Sequence, residues 1–163
     1  MKRTLVLTMA LATLALLPAQ QLRAHCEVPC GIYADQHRFE AMLEDTATIA
    51  KAIAQIRDLT AQMEDGPDAK MVNQVTRWVS TKESHATNTQ HIIAQYFMTQ
   101  RIKPGDDDAS QKAYVKKLTA AHAVMVAAMK CKQDANPETA ETLKSAILDF
   151  YRAYEGKEPQ FHD

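Results

Sequence analysis

A chain of 163 residues has room for one domain with a hydrophobic core and not for two ordinary ones. An apolar content of 46% excludes wholesale disorder, and a net charge of −1 without any basic run excludes a nucleic-acid-binding surface. Gly is scarce at 4 residues while Ala, Gln, Lys, Glu, Leu and Met are plentiful, a mix that favours helix because straight side chains lose little rotamer freedom there.

The first 24 residues differ in kind from the rest. Lys2 and Arg3 open the chain, Leu5 to Leu17 is an uncharged apolar run, Pro18 breaks it, and a polar stretch leads to Ala24. This is the layout of a secretory signal peptide or cleaved leader over residues 1–24, with a protease cutting after Ala24. The run falls short of the roughly 20 apolar residues that span a bilayer, so the mature form needs no membrane. A lipid anchor at Cys26 would want a small residue before the Cys, where His25 stands. Export to a periplasmic or extracellular space follows from the leader; a cytoplasmic protein with a processed leader is the alternative. Loss of Lys2, Arg3 and Arg23 lowers Lys+Arg from 19 to 16 against 20 Asp+Glu, a mature net charge near −4. Such a surface offers an anionic substrate no global attraction, so any steering must be local.

Residues 25–163 read as helices. Asp35 caps a first helix running to about Met63, with Phe39, Met42, Ile49, Ile53, Ile56 and Met63 on one stripe, and Asp65-Gly66-Pro67 stops it. A second starts near Asp68 and carries Val72, Val75, Val79, Ile92, Ile93, Tyr96 and Phe97 before a Pro104-Gly105 loop. The third spans about Ala109 to Lys132, with Tyr114, Leu118, Ala121, Met125 and Met129 in register. Asn136-Pro137-Glu138 opens the fourth with a cap, a first-turn Pro and an acid facing the positive helix end, and Leu143, Ile147, Phe150 and Tyr154 follow at helical spacing. No stretch alternates long enough to argue a strand. The prediction is all-α: an antiparallel up-down four-helix bundle behind an irregular N-terminal segment, with a loose tail from Glu158 to Asp163.

The chemistry sits between leader and bundle, in His25-Cys26-Glu27-Val28-Pro29-Cys30-Gly31-Ile32-Tyr33. In an exported protein the plain reading of two such thiols is a Cys26–Cys30 disulfide. The cut after Ala24 sharpens the alternative, because it gives His25 a free amine beside its imidazole. That amine, the deprotonated amide and thiolate of Cys26 and the thiolate of Cys30 can form a square-planar set, with the His25 imidazole free as a fifth, axial donor. Square-planar N and S donors suit Ni(II) or Cu(II), whereas zinc prefers a tetrahedron. With the leader attached no terminal amine exists, so the uncleaved chain cannot build the full set.

His-Cys-x-x-Pro-Cys-Gly-x-Tyr at a processed N-terminus resembles the nickel hook of the nickel superoxide dismutases, with Glu27 and Ile32 at variable positions. The stretch from Arg77-Trp78-Val79 through Lys82-Glu83-Ser84-His85-Ala86 to Gln95-Tyr96-Phe97 resembles the second helix of some members. The resemblance implies one nickel ion per subunit, held by His25, Cys26 and Cys30, in a four-helix bundle that assembles as a homohexamer. It implies dismutation of superoxide to dioxygen and hydrogen peroxide by cycling nickel between +2 and +3. It makes Pro29 the bend of the hook, Tyr33 the residue that orders water and limits access at the open metal face, and Glu40 the acid that orients the axial imidazole.

Other candidates are weighed against plainer readings. Cys131, beside Met125 and Met129, is a core residue. His37, His122 and His162 are ordinary helix or tail residues. Lys82, His85 and Thr89 bring polar groups onto the stripe of Val75 and Val79, either as a solvated bend or as support for a hook, with His85 the candidate second-sphere residue. Glu-x-x-His pairs, His-Glu-x-x-His and phosphate-cradling Gly loops are absent, which sets aside di-iron, zinc-protease and nucleotide-binding chemistry. The rivals to a dismutase are a non-catalytic exported bundle with a Cys26–Cys30 disulfide and a copper or nickel carrier.

Overall fold

The computed structural model describes residues 34–63, 66 and 68–161. They form four helices: α1 (Asp35–Ala61), α2 (Ala69–His91, continued by a π-helical stretch Ile92–Arg101), α3 (Asp108–Gln133) and α4 (Pro137–Glu155), with no strand among the described residues. Each helix packs on its neighbours in sequence and α1 also packs on α4, closing a four-membered ring. Asp35 at the start of α1 bonds to Tyr96 and Arg101 at the end of α2 and to Tyr154 at the end of α4, so these ends lie together. The up-down bundle is therefore as predicted.

Three helices begin as their sequences dictate. Asp68 accepts from the Met71 amide at 2.7 Å, Asp107 and Ser110 form a reciprocal capping box, and Asn136 accepts from the Glu138 amide at 3.1 Å ahead of Pro137. α1 departs from expectation. Its cap is Ala34, without a side-chain bond, and Asp35 is the first helical residue. Its carboxylate points to other helices instead of its own amides, because stronger donors are available there.

The core follows the predicted stripes with three corrections. Val72 and Val79 are 48% and 37% exposed and Met129 is 40% exposed. The cause for α2 is length. Lys82 Nζ donates to the carbonyls of Cys131 and Lys132, so α3 ends level with Lys82. The segment Ala69–Thr81 then runs on for about 20 Å beyond the end of α3. In α3 the buried face is Ala121, Val124, Ala127, Ala128 and Cys131, which turns Met129 outward.

The π-helical stretch was not predicted. Ile102 N donates to Phe97 O, and the side chains of Thr99 and Gln100 bond to carbonyls five residues back. Its wider turn buries the pairs Ile92, Ile93 and Tyr96, Phe97 together. Phe97 then packs at 4.9 Å on both Phe39 and Phe150, in an aromatic cluster just inside the end where α1 begins.

Candidate metal centre

The hook, with His25, Cys26, Pro29, Cys30 and Tyr33, lies outside the described residues, as does the leader. The structure does define the platform onto which it leads. Ala34 follows Tyr33 directly, and Asp35 is only two residues further on.

Asp35 ties three helix ends to the base of the hook. Its carboxylate accepts from Tyr96 Oη at 2.6 Å and from Tyr154 Oη and Arg101 Nη2 at 2.7 Å each. Burial pushes this carboxyl up, but the bonds from Arg101, Tyr154 and Tyr96 together outweigh it and hold the group below the usual carboxylate range. The phenols respond in the opposite sense. Burial and the Asp35 charge push Tyr96 up to about 12, and Tyr154 is raised by the same causes. Arg38 also sits over the Tyr96 ring, 5.2 Å from its centroid. Sequence reasoning took Asp35 as a cap and Tyr96 as core. Only the folded bundle brings them together.

Glu40 lies one turn further along α1, half-buried. Its Oε1 accepts from Gln36 Nε2 at 3.1 Å, and its Oε2 pairs with His37 Nδ1 at 2.9 Å. His37 is an exposed residue of α1, as expected, and shares this carboxylate. Glu40 faces a groove between α1 and α4 whose walls include Leu43, Leu148, Arg152 and Phe161.

His85 is placed elsewhere. Its Nδ1 meets Asp45 Oδ1 at 2.6 Å, and the other oxygen of Asp45 accepts from Asn88 Nδ2 at 2.8 Å and Thr89 Oγ1 at 3.3 Å. Asp45 is ten residues from Asp35, about 15 Å along α1. The polar stretch of α2 is not a solvated bend, because Lys82 and Thr89 are 3% and 0% exposed. Around the buried Asp45 and Thr89 it forms a network that reaches the surface through His85 and Asn88, and Asp45, in phase with Met42 and Ile49, is the member that sequence reasoning missed. Cys131 is buried, as expected of a core residue, and burial pushes its thiol up.

Among the described residues no group of three or more His, Cys, Asp or Glu could hold a metal ion. His25, Cys26 and Cys30 lie outside the residues so searched. The family model of nickel-containing superoxide dismutases matches residues 20–158. The chain belongs to that family. It is a superoxide dismutase, an oxidoreductase whose cofactor is nickel. The matched region takes in the whole hook as well as the four helices. No curated protein and no solved structure matches the chain.

Proposed function

We propose that this superoxide dismutase is matured by cleavage after Ala24 and that His25, Cys26 and Cys30 then hold one nickel ion per subunit. The observation that carries this reading is the family match, which runs through a segment offering a terminal amine, an amide and two thiolates within six residues. Nickel supplies the one-electron chemistry, alternating between +2 and +3, and anionic thiolate and amidate donors favour the higher state. Pro29 bends the hook so that Cys26 and Cys30 converge. Tyr33 would order water at the metal, restrict entry to small molecules and relay the protons that the reaction consumes. Glu40 orients the His25 imidazole; its pairing with Gln36 and His37 on one turn of helix suits a group that must hold one direction.

The mature protein is a homohexamer, which covers an otherwise exposed hook. The projecting start of α2 supports assembly, since Val72 and Val79 stand exposed there and a lone bundle leaves them uncovered. The leader directs export to a periplasmic or extracellular space, and a leader protease is the processing partner.

The test compares protein beginning at His25 with the same chain extended by one residue. Stoichiometric nickel and dismutase activity are expected only in the His25 form. Equal activity in the extended form would remove the terminal amine from the ligand set. A Cys26–Cys30 disulfide without nickel in both forms would overturn the assignment of the site.

A further inference from the structure

The segment after α4 was expected to be loose, and up to Phe161 it is not. Gly156 ends α4 in the left-handed region at φ 72°, which turns the chain back over the helix it has just left. Arg152 Nε donates to Glu158 at 2.8 Å and pins the return. Phe161 then stacks edge-on against Tyr151, with ring centroids 5.0 Å apart. Tyr151 is a core residue, 2% exposed, whose ring also meets Phe39 at 4.9 Å.

What this segment reaches is the first turn of α1. Gln36 Nε2 faces both the Gln160 carbonyl at 3.4 Å and Glu40 Oε1 at 3.1 Å. Gln36 Oε1 accepts from Tyr151 Oη at 3.3 Å. One amide thus joins the tail, the core phenol on which the tail stacks, and the carboxylate of Glu40. α1 lacks a side-chain cap, so little else of its own restrains that turn.

We propose that Gly156–Phe161 is a positioning strap for the metal centre, holding Gln36 and, through it, the carboxylate of Glu40. The inference rests on the reading that Glu40 orients the axial imidazole. Gln36 is a positioning residue, touching neither metal nor substrate. The strap seats the carboxylate from outside the α1 helix, adding to its contact with His37 and to the bonds by which Asp35 holds the start of the helix.

The experiment uses the full chain starting at His25, nickel-loaded, as parent, Phe161→Ala, Gln36→Leu and Glu40→Gln. Two quantities are read: amide exchange at residues 37–41, and the nitrogen hyperfine splitting that an axial imidazole imposes on the oxidised nickel signal. Phe161→Ala and Gln36→Leu are expected to speed exchange at 37–41 about tenfold while α3 is unchanged. Both should weaken the nitrogen splitting in the same sense as Glu40→Gln, with turnover down about threefold against about tenfold for Glu40→Gln. A changed nickel signal in Glu40→Gln with a parental signal and parental exchange in the other two would overturn the strap and leave the Glu40 reading standing. A parental signal in Glu40→Gln would overturn the Glu40 reading itself and the strap's role at the metal with it, even if exchange at 37–41 has risen.

Discussion

Two carboxylates on the same helix, Asp35 and Asp45, solve different problems with similar numbers of hydrogen bonds. Asp45 is 5% exposed and is satisfied by His85, Asn88 and Thr89, all on α2. It fixes the register of one helix pair in mid-bundle. Asp35 draws its partners from two helices, and its cationic partner Arg101 is 40% exposed. It gathers helix ends where the hook begins. A polar network in mid-bundle specifies the packing of one helix pair, whereas the same chemistry at a helix end gathers the ends of three helices.

Removing Asp45 should be the larger blow to stability. Asp45→Ala strands the Thr89 hydroxyl in a fully buried position and takes the acceptor from His85 and Asn88, a loss of about 3 kcal/mol. For a domain of this size that lowers Tm by roughly 10 °C. Calorimetry on the metal-free protein checks the magnitude. Turnover at 25 °C in the nickel-loaded variant should stay within about twofold of the parent, since Asp45 lies about 15 Å along α1 from Asp35, the end that adjoins the proposed hook in sequence. A tenfold loss of turnover with an unchanged Tm would erase the contrast between the two carboxylates.

Asp35→Asn should reverse the pattern. The amide keeps one acceptor and Arg101 can turn to water, so the stability cost is only about 1–2 kcal/mol. On the proposed role of Tyr33, two residues before Asp35 in the chain, turnover should fall about tenfold, because small misplacements matter at a reacting centre. Acid titration sharpens this further. The Asp35 carboxyl is depressed in the folded state, so its contribution is fully present above its unfolded value of 3.8 and is lost as pH falls through the lower folded value. Between about pH 5 and about pH 2 the parent should lose stability faster than Asp35→Asn. Parallel acid limbs in the two proteins would show that the carboxylate charge contributes nothing to folding.

How much of this was legible in advance depended on whether the cause was local. The caps at Asp68 and Asn136 and the stripe of Phe39, Met42 and Ile49 are short-range and were readable, whereas α1 ends at Ala61, ahead of Asp65-Gly66-Pro67. The hook motif is equally local and the family match spans it, while the ligand roles of His25, Cys26 and Cys30 belong to the proposal. The π-helical stretch was not readable, because Ile92, Ile93, Tyr96 and Phe97 fit an ordinary helix until the partners that bury them are in place. Asp35 looked like a cap, since an acid before a helix normally bonds its own amides; Arg101 and two tyrosines, 61 to 119 residues away, outcompete them. Asp45 carried a readable signal, an acid on an apolar stripe, and its partner His85 was noticed without it. The exposed Val72 and Val79 obey the helical period and fail only because α3 stops short of them.

The smallest effect isolates the coupling between Asp35 and its phenols. Tyr96 is raised from 10.0 to about 12, by burial first and by the Asp35 bond and charge after it. A raised phenol favours its neutral form in the folded state, so this contribution is intact below the unfolded value and fades as pH climbs through the folded one. Ultraviolet titration of the folded protein should therefore show a phenolate step near 12 that Tyr96→Phe removes. Asp35→Asn should bring that step down without abolishing it, because burial persists when the negative charge is gone. A step that stays near 12 in Asp35→Asn would assign the whole shift to burial. The carboxylate would then fix the phenols in place without tuning them, leaving Asp35 closer in kind to Asp45.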